Sequence, residues 1–303
     1  MLETLKKLPY PLSGVILALF SLGNCVVEIA PLRYLLLGIG LCLLVALTAK
    51  MALVPKSLTD ALKDPVLCST LGTFSMALMV LSSYFFPRFP LWAMVVWSFG
   101  LVLHCSLIFY FSFRHLPYLK IRQVHASYFI VYVGIAMAAV TARLPFQVVL
   151  GRGCFYFALC GFLFLLPVVL YRYIVHRKIM PPQRPLFCIT AAPGALCLTA
   201  YLTAFAEPST VLVAVGAVLS GVLYMAVLVR VPFLLRFEVF YPSYAAMTFP
   251  FVINATAMDF FRSSVESWFL LDVAVWAETA VAAVLVALVL FGYLGLWPKR
   301  NAS

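Results

Sequence analysis

Tyr241-Pro-Ser-Tyr-Ala-Ala-Met-Thr-Phe-Pro-Phe-Val-Ile-Asn-Ala-Thr-Ala-Met258 is apolar enough to enter a bilayer, yet it carries Pro242, Ser243, Thr248, Pro250, Asn254 and Thr256. A proline within a helix removes one backbone hydrogen bond and leaves a carbonyl that lipid cannot satisfy. The stretch therefore predicts a helix kinked at Pro250. Its freed carbonyl must face protein or a watery cavity, and Phe249 projects beside the kink.

The other residues say what surrounds such a helix. Of 303 residues, 65% are apolar and 10% charged, whereas in soluble globular domains about a quarter are charged. This is the composition of an integral membrane protein. At roughly 20 residues per crossing, ten spans are expected, at about 11–28, 32–53, 66–86, 91–113, 125–143, 152–175, 186–205, 209–230, 242–261 and 268–295. The connections are short, so residues 1–303 are expected to form one transmembrane domain without a soluble appendage. Lys6-Lys7 before an apolar run resembles a signal peptide, but no small-x-small cleavage site follows, and the run is read as the first span.

Lysine and arginine are retained on the cytoplasmic side of short loops. The side holding both termini has sixteen, including Lys6, Lys50, Lys56, Arg172, Arg236, Lys299 and Arg300, against Arg33, Arg88, Arg143, Arg152 and Arg262 on the other. Both termini are thus expected in the cytoplasm, with an even number of spans, in a bacterial inner membrane. The net charge of +11 then reflects topology, and nucleic acid is not a partner. A basic cytoplasmic mouth also concentrates anions.

Odd and even spans differ in kind. Spans 8 and 10 are runs of Val, Leu and Ala, interrupted in span 10 by Glu278. Odd spans start near proline or carry small and hydroxyl residues: Pro9 to Gly14, Asp64-Pro65, His125 to Tyr128, and Thr190-Ala-Ala-Pro193-Gly194. Ser127-Tyr128 and Ser243-Tyr244 open spans 5 and 9 alike, pointing to a helical-hairpin repeat of roughly 60 residues. Small residues let helices approach, and proline is tolerated where neighbours or water cover the backbone. The expected fold is an all-α membrane protein of five helical hairpins, with five odd helices around a central pore and five even ones outside. At about 9–10 Å between axes, five helices leave a clearance of about 3 Å radius, which one phenylalanine ring closes. The Pro193-Gly194 pair reads as a break in span 7 of the kind found where substrates pass.

Ionisable residues inside a membrane are functional candidates by default. The nearly charge-free interiors of spans 3, 5, 7 and 9 therefore argue against a proton-coupled pump. Glu278 and His104 lie well inside spans, both on even helices; Glu278 is read as bridging protomers or snorkelling, and His104 has no histidine at matching depth for haem. Without Gly-x-Ser-x-Gly, His-Glu-x-x-His or paired intramembrane aspartates, no enzymatic activity, metal or cofactor is expected. Eight cysteines lack Cys-x-x-Cys spacing and read as apolar filler. The glycosylation sequons at Asn254 and Asn301 fall in the membrane and the cytoplasm, where neither is used.

In their order along the chain, Pro9 to Gly14 with Val15-Ile-Leu, Asp64-Pro65-Val66, His125-Ala-Ser-Tyr128, Ala192 to Leu202 and Tyr244 to Pro250 resemble the tellurite-resistance and dicarboxylate transporter family. That family includes bacterial tellurite-resistance protein A and the slow anion channels of plant guard cells. The resemblance implies a homotrimer of ten-helix protomers, each with its own pore for small inorganic or carboxylate anions. It places Phe249 at the position of the family's plugging phenylalanine, with Thr248 and Pro250 around it, and Gly14 at a pore glycine where a side chain would obstruct passage. Two departures stand out: Ala126 replaces the proline that often follows the histidine opening span 5, and the long phosphorylatable termini of the plant channels have no counterpart. The expected function is a gated anion channel with Phe249 as gate and Gly14, Thr248, Pro250, Pro193 and Gly194 lining the pore. The alternative on the same fold is a secondary carrier for dicarboxylate, sulfite or tellurite.

Overall fold

The computed structural model describes residues 2–235, 239–265 and 269–296. Arg236, Lys299 and Arg300 of the charge count, and the Asn301 sequon, lie outside the described residues, as do the outermost residues of the expected domain. Among the described residues every regular element is helical.

The helices fall into five consecutive groups. In chain order these are α1 (Leu2–Lys7), α2 (Leu12–Cys25) and α3 (Ala30–Leu53); α4 (Pro55–Lys63), α5 (Pro65–Thr70), α6 (Gly72–Phe85) and α7 (Pro90–Arg114); α8 (Tyr128–Tyr132), α9 (Met137–Val140) and α10 (Pro145–Val175); α11 (Ala192–Ala204), α12 (Thr210–Leu228) and α13 (Val231–Leu234); and α14 (Phe249–Ser264) and α15 (Phe269–Tyr293).

Each group contains a long apolar helix packed on the buried segment before it: α3 on α2, α7 on α6, α10 on α8 and α9, α12 on α11, and α15 on α14. The long helices turn large apolar side chains outward, among them Val45, Trp92, Phe113, Phe164, Val218 and Val284. Only 22–28% of their apolar stretch is buried, against 72% for Pro65–Phe85 and 78% for Pro181–Ala204. The outward faces of the long helices are therefore apolar, which suits acyl chains and not water.

Seven helical stretches among the described residues are long and apolar enough to cross a membrane: five containing the long helices, plus Pro65–Phe85 and Pro181–Ala204. The remaining three expected spans are shorter. Helix α2 has 14 residues, about 21 Å of rise against a hydrocarbon core of about 30 Å, and the α8–α9 and α14 segments are broken or entered through tighter turns. Such i→i+3 turns open all three: Leu12 onto Pro9 and Ser13 onto Tyr10, Tyr128 onto His125 and Phe129 onto Ala126, and a 3-10 turn over Pro242–Met247. Non-α backbone at membrane depth is tolerated where protein or a cavity covers it, and these turns sit in the buried segments.

The kink expected at Pro250 is replaced by a helix start. Pro250 lies in the first turn of α14, where a proline has no intrahelical bond to forfeit. Pro193 has the same place in α11, after a 3-10 stretch over Pro181–Ala191. Span 5, which lacks the proline, is nevertheless the most broken, passing from α8 through a 3-10 turn at Gly134–Ala136 to α9. His104 on α7 makes a contact beside the break. Its ring is wholly buried, and Nε2 donates to the Val131 carbonyl at 3.1 Å, just before the break at Val133. A side chain that takes a carbonyl out of the helical ladder bends the helix there.

Buried segments that follow one another along the chain are joined by hydrogen bonds, and the last is joined to the first. Ser13 bonds Thr73 at 2.7 Å, Ser69 donates to Ser127 at 2.8 Å, Thr203 to the Ala139 carbonyl at 3.4 Å, Asn254 to the Ala191 carbonyl at 2.9 Å, and Thr248 to the Gly14 carbonyl at 3.3 Å. The first four partners are 60, 58, 64 and 63 residues apart, close to the interval of roughly 60 residues expected from the sequence. Tyr128 and Tyr244, the pair that suggested the repeat, are both buried, and their hydroxyls donate to the Gln123 and Leu234 carbonyls in the preceding connections.

Candidate functional site

The five buried segments enclose a narrow cavity with about 50 Å³ of room for water centres. Its wall takes Pro11 and Gly14 from the start of the first segment, Thr70, Thr73 and Met76 from α5 and α6, Phe129 and Gly134 from the broken fifth segment, Pro193 and Leu196 from α11, and Ala246, Phe249 and Pro250 from the ninth. None of its lining residues is charged. Phe249 is only 5% exposed, which puts its ring inside the protein and away from the lipid-facing surface.

Wider vestibules open at the two ends of these segments. One, of about 710 Å³, lies at their N-terminal ends and is lined by Lys6, Lys50, Lys56 and Asp60 together with Pro11, Thr70, Leu186 and Ser243. Those last four also line the narrow cavity, so the two spaces adjoin. The other, of about 550 Å³, lies at the C-terminal ends and carries Glu28, Arg33, Arg143, Asp259 and Arg262. It shares no lining residue with the narrow cavity. Along the ninth segment the narrow cavity runs from Ser243 to Phe249 and Pro250, and the far vestibule resumes at Ile253. Phe249 is therefore among the last residues of the ninth segment to line the narrow cavity before the far vestibule begins.

Comparison with protein families matches residues 11–294 to the voltage-dependent anion channel family, SLAC1. The chain belongs to that family. It is thus a multi-pass membrane protein of a channel and transporter family that handles anions. A search of curated proteins found no match.

Of the residues expected to line the pathway of this family member, Gly14, Pro193, Phe249 and Pro250 meet in the one cavity, while Gly194 and Thr248 face elsewhere. A Cβ at Gly194 would lie 3.3 Å from the Ser220 backbone, so this glycine lets α11 approach α12. The Thr248 hydroxyl, fully buried, donates to the Ala245 carbonyl at 2.7 Å and reaches the Gly14 carbonyl, tying the ninth segment to the first. His104 stitches α7 to α6 and α8 through Ser75, at 2.7 Å, and Val131. Glu278 lies on α15, outside the cavity, with Oε2 buried and no hydrogen-bond partner among the described residues.

Asn254 is the strongest polar latch. Its amide donates to the Ala191 carbonyl at 2.9 Å and the Pro250 carbonyl at 2.7 Å, and accepts from Ser220 at 3.0 Å. Three segments thus depend on one side chain. Replacing Asn254 with leucine strands buried groups, each worth about 1–3 kcal/mol when left unpaired. The purified variant is expected to unfold at a visibly lower temperature than the wild type, and an unchanged midpoint would contradict the latch.

Proposed function

We propose that the chain is a gated anion channel whose conduction path runs between the two vestibules through the narrow cavity, with Phe249 as the plug. The observation that carries this reading is the uncharged cavity shared by all five buried segments, with Phe249 in its wall. A neutral wall binds a passing anion weakly enough to release it, as conduction requires. The lysine-bearing vestibule supplies the entrance on the cytoplasmic side.

The arrangement that goes with this function is ten crossings in five hairpins, the odd segments inside and the even ones facing lipid, with both termini cytoplasmic and residues 1–303 in one domain. The hydrogen-bonded cycle from Ser13 to Thr248 supports it. The protomers form a trimer, each with its own pore, and the short connections suit a bacterial inner membrane. Small inorganic or carboxylate anions are the permeant species.

Channel and carrier part company in a recording under anion gradients. A channel gives a current that reverses at the equilibrium potential of the permeant anion and follows that potential when the gradient is changed. Saturable movement locked in fixed ratio to a second ion would replace the channel with the carrier for dicarboxylate, sulfite or tellurite.

A further inference from the structure

Two cationic side chains among the described residues are buried, Arg172 and Lys50, at 3% and 4% exposure. The Arg172 guanidinium is occupied by the carbonyls of Arg122, His176 and Lys178. Lys50 is differently placed. Its ammonium donates to the Leu8 carbonyl at 2.5 Å and lies 4.2 Å from the centre of the Tyr10 ring, and it has no carboxylate within ion-pair distance among the described residues.

A buried ammonium without a counter-charge is costly unless something compensates it. Lys50 borders the large vestibule, and Tyr10, on which it rests, is followed directly by Pro11, which lines both vestibule and narrow cavity. The other charges of that vestibule are less available. Lys6 is paired with Glu3 at 2.6 Å and Asp60 with Lys63 at 2.9 Å, all four side chains being well exposed, and Lys56 is exposed to solvent. The Leu8 carbonyl and the Tyr10 ring hold the Lys50 charge in one place, and an ammonium has three donors, of which the Leu8 carbonyl takes one.

We propose that Lys50 is the anion-capturing residue of this vestibule, holding a small inorganic anion such as chloride at the threshold of the narrow cavity. Its part in conduction rests on the channel reading above. Its part in binding stands apart from it, because a fixed charge beside an open vestibule attracts an anion whether or not the anion passes on.

Both parts are tested with Lys50→Gln, which keeps a donor for the Leu8 carbonyl but drops the charge, and with Lys50→Arg, which keeps the charge. In patches carrying a Phe249→Ala background, the cytoplasmic chloride concentration giving half-maximal current is expected to rise about five-fold in Lys50→Gln, the enrichment one unit charge produces at about 4 Å in water. Lys50→Arg stays near the parent. In detergent, replacing gluconate by chloride at constant ionic strength raises the unfolding temperature of the wild type and Lys50→Arg more than that of Lys50→Gln. A Lys50→Gln protein that matches its parent in both measurements would overturn the proposal and leave Lys50 a structural tether. Absence of current in the Phe249→Ala parent would instead refute the conduction reading, and the chloride-dependent unfolding shift would still decide whether Lys50 binds the anion.

Discussion

Phe249→Ala is expected to raise anion conductance at least about ten-fold, the factor that corresponds to about 1.4 kcal/mol off a barrier. Phe249 is buried and lines the narrow cavity, and the residues of the ninth segment that line the far vestibule begin only at Ile253. Truncation there removes an apolar obstruction that an ion cannot wet. Had Phe249 been an ordinary core residue, the same change would cost about 3–5 kcal/mol of stability and open nothing. The two cases separate cleanly when current and unfolding temperature are measured on the same variant.

The second large effect is expected at Gly14. A Cβ there would sit 3.5 Å from the Ala245 side chain, an ordinary contact, so a small side chain fits without moving the backbone. Gly14→Asp places a carboxylate in a cavity with no cationic lining residue. At 4 Å and an effective dielectric of about 20, two like charges repel by about 4 kcal/mol. Current in the Phe249→Ala background should therefore fall by more than about a hundred-fold, while the protein still elutes as a folded, monodisperse species. Gly14→Asn has nearly the same bulk without the charge and should retain part of the current. Equal currents in the Asp and Asn variants would take Gly14 out of the anion's path.

What the residues announced and what they concealed follow one physical line. Alternation was legible because lipid-facing helices need nothing but apolar bulk, as in Val211 to Val229, whereas inner segments must satisfy their backbone and so carry Ser13, Thr73, Ser127, Thr248 and Asn254. The meeting of Gly14, Pro193, Phe249 and Pro250 was legible for the same reason.

The backbone was less so. A proline reads alike as a kink or as a first-turn residue, and only the 3-10 stretches ahead of Ala192 and Phe249 decide for the second. The break in the fifth segment coincides with a hydrogen bond from His104 on another helix, which no local pattern can announce. Gly194 serves close packing against Ser220, and a glycine carries no mark that separates that use from a place in a cavity wall. Lys50 was counted among the loop charges; its position three residues inside the end of α3, in Ala49-Lys50-Met51-Ala52, was the available signal that it is held within the protein.

The account stands or falls on whether the side chain at position 249 obstructs a neutral tunnel. The most direct measurement is unitary anion current across a series with Ala, Val, Leu, Phe and Trp at that position, each confirmed at equal abundance in the membrane. Current is predicted to fall steadily as the side chain grows, with Phe and Trp nearly silent. Currents that bear no relation to side-chain size, or that are absent in the well-expressed Ala variant, would contradict it.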